Sequence, residues 1–146
     1  MRSNINIFFE EKFSLNKINI KNFVKKLAKH YKKNFFNLEL NFVSIETIIK
    51  VNIDYLNHNY ETDIITFNYS DNNDNEINAE IFICPEIAKQ NALKYRATFE
   101  EEIFRLLAHG ILHIIGFKDE TKSQKMIMRK KENEALSLFY LETNKK

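Results

Sequence analysis

The chain has 146 residues, an apolar fraction of 44% and a net charge of +2. That is enough for one hydrophobic core over residues 1–146, and too little charge to name a polyanionic partner by itself. A single cysteine, Cys84, excludes an internal disulfide; with no run of about 18 apolar residues and no signal-like start, a cytoplasmic protein without membrane association is expected.

Composition is skewed, with 19 Asn, 19 Ile and 18 Lys against 4 Arg. Abundance of Lys or Asn alone therefore carries no functional argument. In chain order, Ile5–Phe9 reads as a short strand. Residues 20–31 follow a helical period: Ile20, Phe23, Val24, Leu27 and Tyr31 share one arc, and Lys21, Lys25, Lys26, Lys29, Lys32 and Lys33 the other. Leu38, Leu40 and Phe42 alternate as a half-buried strand does. A helix is expected over Ile45–Leu56, then a strand with Ile65, Phe67 and Tyr69 on one face. Ser70–Asn78 reads as a polar loop and Glu80–Ile83 as a short strand.

Pro85 suits the first turn of a helix that buries Ile87, Ala88, Asn91 or Ala92, and Tyr95. Thr98-Phe99-Glu100-Glu101 matches a capping box, opening a helix that runs through Ile115 and stops at Gly116. A last helix follows Thr121, with Met126, Leu136 and Phe139 or Tyr140 turned inward and Met128 outward. The interleaved pattern predicts an α+β fold, with a roughly four-stranded mixed sheet and about five helices.

The chemistry lies in Ala108–Glu120, AHGILHIIGFKDE. His109 and His113 stand four apart on a helix, so both imidazoles project from one face, the bite a single metal ion needs. Their apolar neighbours, Leu106, Leu107, Ile111, Leu112, Ile114 and Ile115, leave two bare imidazoles in need of partners. After Gly116 the turn can bring Asp119 back as a third ligand, leaving a fourth position open for water, as in a catalytic zinc site. The zinc-protease helix H-E-x-x-H places a general base after its first histidine; Gly110 occupies that position here and disfavours a metalloprotease-like hydrolase.

His109-Gly110-Ile111-Leu112-His113-Ile114-Ile115-Gly116-Phe117 resembles the signature of the bacterial YbeY-type endoribonucleases, which act in rRNA maturation. Leu56-Asn57, Thr62-Asp63-Ile64-Ile65-Thr66-Phe67 and Ala79-Glu80-Ile81-Phe82-Ile83 are similar to further motifs of that family, in the same order. The resemblance spans roughly residues 50–136. It implies one Zn2+ per chain, an rRNA precursor as substrate, processing of the 16S rRNA 3′ end, and the ribosome or its small subunit as partner.

Three departures stand out. The family's third ligand is a histidine, for which gapless alignment gives Asp119 and a one-residue insertion Glu120. No arginine lies between Asn57 and Thr62, where the family carries one. Ala79-Glu80 replaces Gly-Asp before the short strand.

The nucleophile stays open between a metal-activated water and the RNA 2′-OH. For RNA contact the candidates are the Lys25 and Lys29 face and His58, with Lys122, Lys125, Arg129, Lys130 and Lys131 as a second basic face. The absent arginine also keeps a different reading in view, a ribosome-assembly factor with structural zinc and vestigial catalysis.

Overall fold

The structure, a computed structural model, describes residues 4–58, 62–71 and 75–143. The elements run β1 (Ile5–Phe9), α1 (Lys17–His30), β2 (Asn34–Phe42), α2 (Ile45–Leu56), β3 (Ile64–Asn68), β4 (Glu76–Ile83), α3 (Pro85–Tyr95), α4 (Phe99–Ile115) and α5 (Lys122–Thr143). The four strands form one sheet in the order β1-β2-β4-β3. β1, β2 and β4 are parallel, and β3 closes the far edge antiparallel to β4. The expected mixed α+β architecture is the one observed.

Several boundaries move, each for a local reason. α1 begins at Lys17, three residues early, because Asn16 caps it by accepting the Asn19 N–H at 3.1 Å. Ala28 joins the buried arc of α1, while Tyr31 stays half-buried past its end. β2 starts at Asn34 and β4 at Glu76, so the polar stretch expected as a loop to Asn78 is partly strand; its residues 72–74 lie outside the described set. In β4 every second residue, Ile77, Ala79, Ile81 and Ile83, is buried, and that alternation carries the strand through its polar positions. Tyr69 falls beyond β3 and is exposed. In α3 only Pro85, Ala88 and Ala92 are buried, Ile87 is half-buried and Tyr95 is exposed.

The core lies between one sheet face and helices α1, α4 and α5. Phe23 of α1 stacks on Phe104 of α4, with ring centroids 4.5 Å apart, and Phe139 of α5 meets both edge-on. α2 covers the other face at the β3 end, where Ile48 and Val51 pack with Ile65 and Cys84. Cys84 is buried, as its small apolar character suggests.

α4 is the axis of the molecule. Its capping box forms in full: the Thr98 hydroxyl accepts the Glu101 N–H at 3.1 Å, and the Glu101 carboxylate accepts the Thr98 N–H at 3.0 Å. Gly116 ends it with φ at +127°, a conformation L side chains rarely adopt. In the middle, Gly110 lets the helix settle on the sheet. A Cβ there would stand 3.1 Å from Ile64 Cδ1 and 3.2 Å from Thr66 Oγ1.

Candidate metal centre and the cleft beside it

The last two turns of α4 carry His109 and His113, and the turn after Gly116 returns the chain so that Asp119 faces both. His109 Nε2 and His113 Nε2 are 3.1 Å apart. Asp119 Oδ2 lies 3.3 Å from His109 Nε2, and Asp119 Oδ1 lies 3.3 Å from His113 Nε2. Nitrogen and oxygen ligands at about 2.0–2.1 Å from a tetrahedral ion are separated by roughly 3.3–3.4 Å. The three donors already stand at nearly that spacing. Glu120 takes no part: it is exposed, and its backbone N–H is held by Gln124 Oε1 at 3.0 Å.

A fourth residue, which sequence reasoning missed, controls the donor set. Glu132 of α5 is buried, and its Oε2 accepts from His109 Nδ1 at 2.7 Å. That bond keeps the His109 proton on Nδ1 and leaves the Nε2 lone pair directed at Asp119 and His113. Lone pairs from three groups then converge, an arrangement that favours a positive charge between them. A proton on His109 is one way to supply that charge. The His109 pKa is raised above the usual imidazole value, chiefly by its hydrogen bond to Glu132, with burial opposing and the Glu132, Asp119 and Asp63 charges adding. A metal would take that proton's place, so metal uptake is linked to proton release.

The donors therefore suit a divalent ion with mixed nitrogen and oxygen preference, such as zinc. Glu132→Gln is expected to weaken metal affinity about 10- to 100-fold with the fold retained. Competition against a chromophoric chelator measures it, and unchanged affinity would remove Glu132 from this role.

A cavity of about 340 Å³ opens beside the donors, between α4, α5, α3 and the start of β3. Its walls include Asp63, Asn91, Tyr95, Arg105, Lys125 and Arg129, as well as His109, Asp119 and Glu132. Asp63 is bonded by Asn91 Nδ2 at 3.3 Å, and burial raises its pKa. Glu102, also on the wall, is raised by burial too, with Arg105 opposing.

The other expected contacts lie elsewhere. Lys25 and Lys29 border a separate groove with Lys32, Lys33 and Phe35. Lys33 also lines the hollow behind His113, so the two basic and metal-facing regions adjoin. His30 is exposed against Tyr31. His58 is exposed after α2 and is not among the described residues lining the cleft, while residues 59–61 lie outside the described set. On α5 the methionines are exchanged relative to expectation: Met126 is exposed and Met128 is buried, because the inward stripe runs Met128, Glu132, Ala135, Leu136, Phe139.

Two imidazoles on α4 and a carboxylate from the turn that follows it converge on one point beside an open cleft, a donor set that suits a divalent ion. The family described as Endoribonuclease YbeY matches residues 6–140, and the chain belongs to it. It is 38% identical to the Endoribonuclease YbeY of Flavobacterium johnsoniae over 139 residues, 94% of this chain and 99% of the relative. It is 39% identical to that of Karelsulcia muelleri over 140 residues, 94% and 95% of the two chains. A solution structure of a Thermotoga maritima protein shares the fold with a TM-score of 0.67 at 26% identity, covering 94% of this chain and 90% of that one.

Proposed function

We propose that this protein is a zinc-dependent endoribonuclease that cuts single-stranded RNA in rRNA maturation, with the 3′ end of precursor 16S rRNA as its target. It would act in the cytoplasm with the small ribosomal subunit as partner. The observation that carries this reading is the convergence of His109, His113 and Asp119 donors at a cleft, in a chain that belongs to the Endoribonuclease YbeY family.

One zinc ion per chain, when bound, supplies polarisation of a phosphoryl oxygen and a water acidic enough to ionise near neutral pH. The chain's own residues do the rest. His109 and His113 are held one turn apart by α4, Glu132 keeps the His109 proton on the far nitrogen, and the turn after Gly116 sets Asp119. Gly110 leaves no side chain to act as a protease-type base, which argues against peptide hydrolysis. Lys25 and Lys29 offer the RNA backbone a basic path that reaches the metal region through Lys33, and His58 is a further candidate contact. Lys122, Lys130 and Lys131 extend the second basic face along α5.

Incubating the protein with a single-stranded RNA spanning the 16S 3′ boundary, and with the same sequence as a duplex, tests the proposal. Cuts in the single strand alone are expected. Zinc bound without cleavage of either RNA would overturn it in favour of an assembly factor, the reading suggested by the absence of Arg between Asn57 and Thr62. The product ends identify the nucleophile: a 2′,3′-cyclic phosphate marks the 2′-OH, a 5′-phosphate marks water.

A further inference from the structure

We infer that Arg105, Lys125 and Arg129 form a shelf in the cleft that holds the phosphate next to the one at the metal, with Tyr95 as a stacking surface for the attached base. The inference rests on the nuclease reading of the site and adds a substrate subsite to it.

Arg105 lies about one turn before His109 on the same face of α4, about 6 Å along the helix. That is the order of separation between neighbouring phosphates of an extended strand. Lys125 and Arg129 are likewise one turn apart on α5, and all three line the same cavity as His109 and Asp119. Two of the cavity's carboxylates sit deeper than two of its cations. Glu132 and Glu102 are buried on its floor. Arg129 has 59% of its side chain exposed and Lys125 is exposed at the rim. Arg105 is 21% exposed between these levels, so a polyanion entering the cleft meets Lys125 and Arg129 at its rim.

The floor also orients the shelf. Glu132 Oε1 is 3.3 Å from Arg105 Nη1 and 4.0 Å from Arg129 Nη1, while its other oxygen holds His109. A guanidinium has five N–H donors, so pairing through Nη1 leaves donors free for a phosphate. The same carboxylate thus fixes the metal ligand and the phosphate-facing arginine in one register. Asp63 and Asp119, the remaining acids on the walls, are occupied by Asn91 and by the two histidines. Tyr95, 60% exposed, completes the wall from the end of α3. An exposed aromatic beside cations suits a nucleic-acid strand, because every base offers a face to stack on.

The test is anisotropy of a fluorescein-labelled single-stranded RNA 12-mer with the zinc-loaded protein across a salt series, with cleavage of the same RNA followed in parallel. Lys125→Ala/Arg129→Ala removes rim side chains whose loss leaves the core intact. The slope of log affinity against log salt is expected to flatten by about 0.7, the loss of one phosphate contact on a single strand. Lys50→Ala on α2, away from the cleft, keeps the wild-type slope. Tyr95→Ala is expected to lower affinity at least about fivefold without changing the slope, and Tyr95→Phe to retain affinity. A wild-type slope in the double variant, or wild-type affinity in Tyr95→Ala, overturns the shelf while wild-type cleavage leaves the nuclease reading standing. RNA that the wild-type protein neither binds nor cuts overturns both.

Discussion

His113→Ala is expected to abolish stoichiometric zinc binding and to reduce RNA cleavage at least about 100-fold, with the fold intact. The rate figure follows because an ion in such a site supplies several kcal/mol of transition-state stabilisation, and each 1.36 kcal/mol is tenfold in rate. The folding expectation follows from geometry. The His113 side chain is 35% exposed and its Nε2 faces His109 and Asp119, of which His109 keeps its Glu132 partner and Asp119 is itself half-exposed.

His109→Ala should lose the ion equally but costs stability as well. It leaves one oxygen of buried Glu132 without its 2.7 Å partner, a loss of roughly 1–3 kcal/mol. Metal analysis with urea unfolding of both variants separates the two effects. A His113→Ala protein that retains zinc and cleavage would show that the pair does not hold the ion.

Gly110→Glu is expected to unfold the protein rather than convert it into a peptidase. The position that carries the base in zinc proteases here faces Ile64, Thr66 and Ile81, at 3.1 to 3.4 Å from where a Cβ would sit. A glutamate side chain would have to drive between α4 and the sheet and bury its charge there, a loss of at least about 4 kcal/mol. Gly110→Ala is the graded control, since it sets a helix-propensity gain of about 1 kcal/mol against crowding at two side chains. Urea titration of the three proteins reads the difference. A stable Gly110→Glu protein would mean that α4 does not lie on the sheet at this point.

The features legible in the amino-acid sequence are those written locally. The spacing of His109 and His113, the Thr98–Glu101 capping box and the stop at Gly116 each involve a few neighbouring residues, and each appears where expected. The turn that brings Asp119 back follows from that helix end. Glu132 is not legible in the same way, because its partner lies 23 residues away on another helix and no spacing rule links them.

A signal for Glu132 did exist. It occupies a core position in the stripe of Met128, Ala135, Leu136 and Phe139, and a carboxylate at such a position needs a partner. Helical period alone puts Met126 in the stripe, but α5 is charged around much of its surface and only its packing on α1 and α4 sets the face. β4 reads shorter in sequence than in the structure for a related reason: Asn and Glu at its alternate positions resemble a loop, while their apolar neighbours point one way. Tyr95 has the spacing of an inward residue on α3, yet at the helix end it is exposed.

The most direct measurement is a titration of the metal-stripped protein with Zn2+, following single-stranded RNA cleavage and bound zinc in the same samples. Cleavage should rise with occupancy and reach its plateau at one zinc per chain. A rate indifferent to zinc, or one equivalent bound with no cleavage, would contradict the assignment of His109, His113 and Asp119 as a catalytic metal centre.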